Sequence, residues 1–151
     1  MILVDTSVWI DHLHDSEPTL NDVLARDEVA CHPLVIQELA LGSLKNRDAV
    51  IASLGRLTMS PSLSHDELLL LVGTHAVWGK GLSPVDAHLL GSVLLSPGTR
   101  LWTRDKSLKA SATQIGVVVK VVIIHAAATS FIHMQTLAMS QVLHSMRNTG
   151  R

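Results

Sequence analysis

The chain has 151 residues, 47% of them hydrophobic and 17% charged, with a formal net charge of −1 and one cysteine. That is one domain of ordinary size, long enough to bury a core, and apolar in the way that suits a sheet covered on both faces. A lone Cys31 excludes an internal disulfide and a cysteine-based zinc site and points to a reducing, cytoplasmic setting. The apolar run starting at residue 2 has no basic leader, and Val117 to Ala128, the longest apolar stretch, is broken by Lys120 and His125. Neither a signal peptide nor a membrane span is expected.

Ile2-Leu3-Val4 reads as a central parallel strand, since three consecutive aliphatics give no polar face. Asp5-Thr6-Ser7 then turns the chain, and Val8, Trp9, Ile10 and Leu13 resume at helical spacing. Asp5 is thereby placed at the carboxyl end of a buried strand, where open α/β sheets bind ligands. The same residue also reads as an ordinary helix cap.

Ser16-Glu17-Pro18 starts a second helix, with Leu20, Val23 and Leu24 as its apolar stripe. Glu28 to Cys31 is a short strand, and His32-Pro33 opens a helix to about Leu44. Within it Glu38 is flanked by Leu34, Val35, Leu41 and Gly42 and has no basic partner at helical spacing. Helices are expected over Arg47 to Leu57 and from Ser64 to about Trp78, the latter begun by a Ser64–Glu67 capping box. Gly79-Lys80-Gly81 is a loop. It fails as a nucleotide-phosphate loop because its spacing from Gly73 is one residue too long and no strand precedes it.

Ser83-Pro84-Val85-Asp86 begins the next helix, and Ser83 with Asp86 satisfies a capping pattern without any catalytic role. Thr99 to Thr103 is a strand, Asp105 starts a helix ending near Gly116, and Val117 to Ile124 is a strand rich in β-branched residues. Alternating strands and helices predict a three-layer α/β/α fold with a central parallel sheet of about four to five strands. The domain is expected over residues 1–125. Residues 126–151 form a carboxyl-terminal extension in which Phe131, Met134, Ala138, Val142 and Met146 make a helical stripe.

Asp5, Glu38, Asp86 and Asp105 fall at strand ends, helix starts or an early helical turn. In a right-handed parallel sheet such junctions lie along one edge. Carboxylates about 6 Å apart repel by roughly 3 kcal/mol at an effective dielectric near 20, so convergence would call for a cation. Acids without His or Cys select a hard ion, Mg²⁺ or Mn²⁺, and the chemistry that suits such an ion is phosphoryl transfer. Arg100, Arg104, Lys106 and Lys109 crowd the Asp105 turn with positive charge.

Four segments, Val4-Asp5-Thr6-Ser7-Val8-Trp9-Ile10, Glu38-Leu39-Ala40 with Gly42, Asp86-Ala87, and Leu101-Trp102-Thr103-Arg104-Asp105, resemble the four motifs of the PIN-domain nucleases. The likeness is to the VapC-like toxins of toxin–antitoxin pairs in particular, and it runs to about residue 124. It implies a metal-dependent endoribonuclease with Asp5, Glu38, Asp86 and Asp105 as catalytic acids and Asp5, Asp86 and Asp105 on the metal. Thr6 and Thr103 would assist by hydrogen bonds. It implies an RNA substrate, an antitoxin protein that blocks the cleft, and a homodimer. Arg104, Lys106 and Lys109 are placed to hold RNA phosphates.

Two other readings use acids at a sheet edge or the same fold. A receiver-type regulatory domain would want adjacent acids after the first strand and a late lysine, which Ser7 and the Thr103-Arg104-Asp105 turn fit poorly. A PIN-like domain that binds RNA or a partner without cutting is opposed by the intact acid set. A haloacid-dehalogenase-like phosphatase needs an acid where Ser7 stands, and no His-Glu-x-x-His helix exists.

Overall fold

Ile2–Val4 (β1) is buried along its whole length and sits inside the sheet of the computed structural model, which describes residues 1–120. Its neighbours are Val29–Cys31 (β2) and Arg100–Trp102 (β4), while Thr58–Met59 (β3) extends the sheet beyond β2, giving the order β3-β2-β1-β4. Every pair is parallel, with Leu3 opposite Ala30 on one side and Leu101 on the other. Leu3, Val4, Cys31 and Leu101 are wholly enclosed, which is why these strands carry no polar alternation.

The helices are Thr6–His14 (α1), Pro18–Ala25 (α2), Pro33–Leu41 (α3), Arg47–Leu54 (α4), His65–His75 (α5), Pro84–Leu94 (α6) and Lys106–Gln114 (α7). From β1 the chain steps outward to β2 and β3, then crosses back over the sheet to β4 on the other side of β1. Right-handed crossovers, the rule for parallel units, put α1 to α4 on one face and α5 to α7 on the other. The direction of winding thus reverses between β1 and β4, and the crevice at their carboxyl ends is where such a fold takes its ligand. The three-layer α/β/α arrangement expected from the alternation of elements is the one observed.

Differences from the sequence reading lie at the ends. β3 replaces part of an expected loop; it is two residues long and exposed, an edge too short to announce itself by composition. The helices stop three residues early: α3 at Gly42, where the backbone turns extended, α4 at Gly55, and α5 at Ala76, which takes a left-handed φ of 51°. The strand expected over Val117 to Ile124 is met in the described residues as one parallel bridge between Leu101 and Val119. Leu101 N–H donates to Val118 O at 2.9 Å and Lys120 N–H to Leu101 O at 2.8 Å. The Lys120 ammonium lies 4.1 Å from the centre of the buried Trp102 ring, a cation–π contact that fastens this segment to β4. The remainder of that strand and the helical stripe from Phe131 lie outside the described residues.

His32 is the largest polar side chain in the core, fully buried. It caps α3 by accepting the Leu34 N–H at Nδ1 (3.1 Å), while Nε2 lies 3.3 Å from Ser62 Oγ and the ring stands 5.8 Å from that of His88 on α6. Burial, and then the neighbouring His88, pushes its pKa down from 6.5 to about 4. The unfolded chain therefore takes up a proton that the native chain refuses, so stability falls as pH falls from about 6.5 toward 4. From pH 7 to pH 5 the loss should be about 2 kcal/mol, read as a falling urea midpoint. His32→Asn keeps a capping acceptor but does not titrate and should lose most of that slope; an unchanged slope would clear His32 of the effect.

Candidate active site

Asp5 occupies the N-cap position of α1, yet its side chain makes no capping bond. Its backbone N–H carries the β1–β4 ladder one residue further, donating to Trp102 O at 2.9 Å. The carboxylate, in a residue only 5% exposed, instead receives two hydroxyls on Oδ2: Ser7 Oγ at 2.6 Å and Thr103 Oγ1 at 2.8 Å. Both are neutral donors, so they satisfy the oxygen without cancelling the charge.

The Thr103 hydroxyl also accepts the Asp105 N–H at 3.0 Å, and Ser7 Oγ accepts the Arg104 N–H at 3.1 Å. The turn after β4 is thereby tied to the turn after β1 at two points. Asp105 caps α7, accepting the Leu108 N–H on Oδ1 at 2.7 Å. Asp86 closes the reciprocal capping box of α6, its Oδ2 accepting the Ser83 N–H at 2.7 Å. Burial raises the Asp86 pKa; the bonds to Ser83 act against that, and the negative charges of Asp5 and Asp105 raise it further. Three acids from three separate elements therefore sit in one another's field.

Glu38 enters from α3. It is exposed, and its Oε2 receives the Thr6 hydroxyl at 2.5 Å, which joins it to the residue after Asp5. The partner absent from its own helix is thus a hydroxyl from α1. Arg104 does not face the acids: its guanidinium pairs with Asp11 Oδ2 (2.7 Å) and Glu17 Oε2 (2.6 Å). Lys106 and Lys109 are exposed on α7, with no salt bridge among the described residues. Ser7 is the residue of this network that the sequence reading passed over; it was visible only as a turn former in Asp5-Thr6-Ser7.

Among the described residues no three acid, imidazole or thiol groups close into a ready-made metal cage. The donor set is carboxylate oxygen, with no base inside it, and the Asp86 pKa is raised by burial and then by the charges of Asp5 and Asp105. Such a set fits Mg²⁺ or Mn²⁺, since ions of this kind are commonly held by one or two carboxylates with water filling the remaining positions.

The family's model, the PIN domain, matches residues 2–113. The chain belongs to the PIN-domain family, which removes the receiver alternative. It is similar to Ribonuclease VapC32 of Mycobacterium tuberculosis, in strains CDC 1551 / Oshkosh and ATCC 25618 / H37Rv. The identity is 58% over 117 residues, covering 78% of this chain and 94% of the relative. Among solved structures it resembles the crystal structure of PAE2754 from Pyrobaculum aerophilum, with a TM-score of 0.52 and 20% identity over 73% of this chain and 83% of that one. That likeness is one of fold.

Two substitutions separate repulsion from support in the metal-free protein. Asp86→Asn keeps the oxygen that accepts the Ser83 N–H and removes the charge, and should raise the melting temperature by about 1–3 °C. Thr103→Val strips a hydroxyl from a buried carboxylate and should cost about 1–3 kcal/mol in urea unfolding. A fall in melting temperature for Asp86→Asn would show that the three acids do not strain one another.

Proposed function

We propose that this chain is a metal-dependent endoribonuclease, the toxin of a toxin–antitoxin pair, which hydrolyses phosphodiester bonds in RNA. The observation that carries the reading is the gathering of Asp5, Asp86 and Asp105 at the crevice where the winding of the sheet reverses, close enough that the charges of Asp5 and Asp105 add to the burial that raises the Asp86 pKa. The identity to Ribonuclease VapC32 supports the substrate class.

Asp5, Asp86 and Asp105 would hold Mg²⁺ or Mn²⁺. When bound, the ion lowers the pKa of a coordinated water and offsets the charge that builds on the phosphate. The chain's own groups do the rest. Ser7 and Thr103 fix the plane of the Asp5 carboxylate, so one of its oxygens is directed and the other is left for the ion. Thr6 holds Glu38 at the rim, where its exposed carboxylate can take a proton from the attacking water. Lys106 and Lys109 attract RNA phosphates, and Arg104 contributes where a phosphate displaces Asp11 or Glu17 from its guanidinium. The antitoxin covers this crevice, the active protein is a homodimer, and both act in the cytoplasm. Among the described residues no helix is long and apolar enough to cross a membrane.

The test is cleavage of a labelled single-stranded RNA by the purified protein. Chelation should stop it and Mg²⁺ or Mn²⁺ restore it; Asp5→Asn and Asp86→Asn should each lower the rate at least about 100-fold while the melting curve stays cooperative. Cleavage that persists in chelator, or in both variants, would overturn the proposal.

A further inference from the structure

Lys80, from the loop Gly79-Lys80-Gly81 that fails as a nucleotide-phosphate loop, lines a cleft of about 330 Å³ whose other lining residues come from α7. Gly79 and Gly81 both take left-handed backbone, φ 69° and 75°, which side chains on either would resist and which turns Lys80 between them. The cleft is lined by Lys80, Lys106, Ser107, Ala110, Ser111 and Gln114: two cations, three neutral polar groups and no acid, in a chain whose net charge is −1.

Lys80 is not left to wander. Its ammonium donates to Gln114 Oε1, and the Gln114 amide is oriented in turn because its Nε2 donates to His75 O at 3.2 Å. One of the three ammonium protons is thereby used to aim the group, and two remain. In the chain both walls lead to the acids: Lys106 follows Asp105, and the loop leads through Ser83 to Asp86.

We infer that this cleft holds a backbone phosphate of the RNA strand, beside the one that is cut and on its α6–α7 side. The assignment rests on the ribonuclease reading and adds to it a named subsite with Lys80 as its principal ligand and Gln114 as a positioning residue. No aromatic side chain lines the cleft, so it offers a base nothing to stack on, and the contact is made to the strand without reading its sequence.

The experiment measures binding of a single-stranded oligoribonucleotide to the full chain in chelating buffer across a series of salt concentrations, with steady-state cleavage in Mg²⁺ alongside. Lys80→Gln should weaken binding about 5–10-fold at low salt and flatten the slope of log Kd against log salt by about 0.7, the loss of one phosphate contact on a single strand. Its KM should rise with kcat within about twofold, as for an interaction made equally in ground and transition states. Lys80→Arg should restore slope and KM, and Gln114→Ala should weaken binding about 2–3-fold by loosening the lysine. Lys80→Gln with wild-type affinity and slope, or Lys80→Arg as impaired as Lys80→Gln, would overturn the subsite. If the wild-type protein cuts RNA and the lysine variants change nothing, only the subsite fails; if it neither binds nor cuts RNA, the ribonuclease reading fails with it.

Discussion

The pairing of Ile2–Val4 with Arg100–Trp102 is the constraint on which the site depends. It joins the first segment of the chain to one nearly a hundred residues later, and it does so where the winding of the sheet reverses. One bond past its end, Asp5 N–H to Trp102 O, sets the Asp5 carboxylate against Thr103. From that point the hydroxyls of Thr103 and Ser7 knit the two turns together. A charged hydrogen bond of this kind contributes about 1.5–3 kcal/mol, so the two hydroxyls offset part of the cost of burying this carboxylate without a base. A lysine or arginine in their place would stabilise the fold more and close the site to a metal.

Positive charge is handled by segregation. Arg104 lies next in sequence to Asp105 and is long enough to reach the acids, yet Asp11 and Glu17 hold its guanidinium on the α1–α2 side. Exposed pairs such as these add little to stability, about 0–1 kcal/mol each. Their effect is better read as electrostatic: they hold the guanidinium on carboxylates other than Asp5, Asp86 and Asp105. On the opposite side, Lys80 and Lys106 face a cleft that contains no acid at all. The acids are thus flanked by cations that can meet an RNA strand but do not neutralise the carboxylates between them.

Much of this was legible in the sequence wherever a short pattern has one physical cause. Ile2-Leu3-Val4 could only be a strand buried on both faces, and the Ser64–Glu67 and Ser83–Asp86 boxes formed with both of their reciprocal bonds. Helix ends were legible less well, because apolar spacing continues past Leu41 and Leu54 while Gly42 and Gly55 already end the helix. β3 escaped because two exposed residues carry no periodicity. At the site, the four acids could be named but not joined. The links that reach them, Thr103 to Asp5 and Thr6 to Glu38, span 98 and 32 residues, and no local pattern encodes a contact at such separation. Lys80 carries no signal of its own in the sequence, since its partner, Gln114, lies 34 residues away.

The choice between cap and catalyst, which the sequence posed for Asp5, Asp86 and Asp105, dissolves in the structure. Asp86 and Asp105 each spend one oxygen on the amino terminus of a helix and keep a second that makes no capping bond, so a cap does not preclude a second role. Three helices, α1, α6 and α7, therefore begin at the acids, and the positive end of each dipole favours a nearby carboxylate by about 0.3–1 kcal/mol. Those contributions offset part of the repulsion among the three and explain how the fold tolerates them without a base. They do not offset all of it, because the pKa of Asp86 is still raised by burial and by its two neighbours. The caps thus make a cluster of three acids foldable without a base beside it.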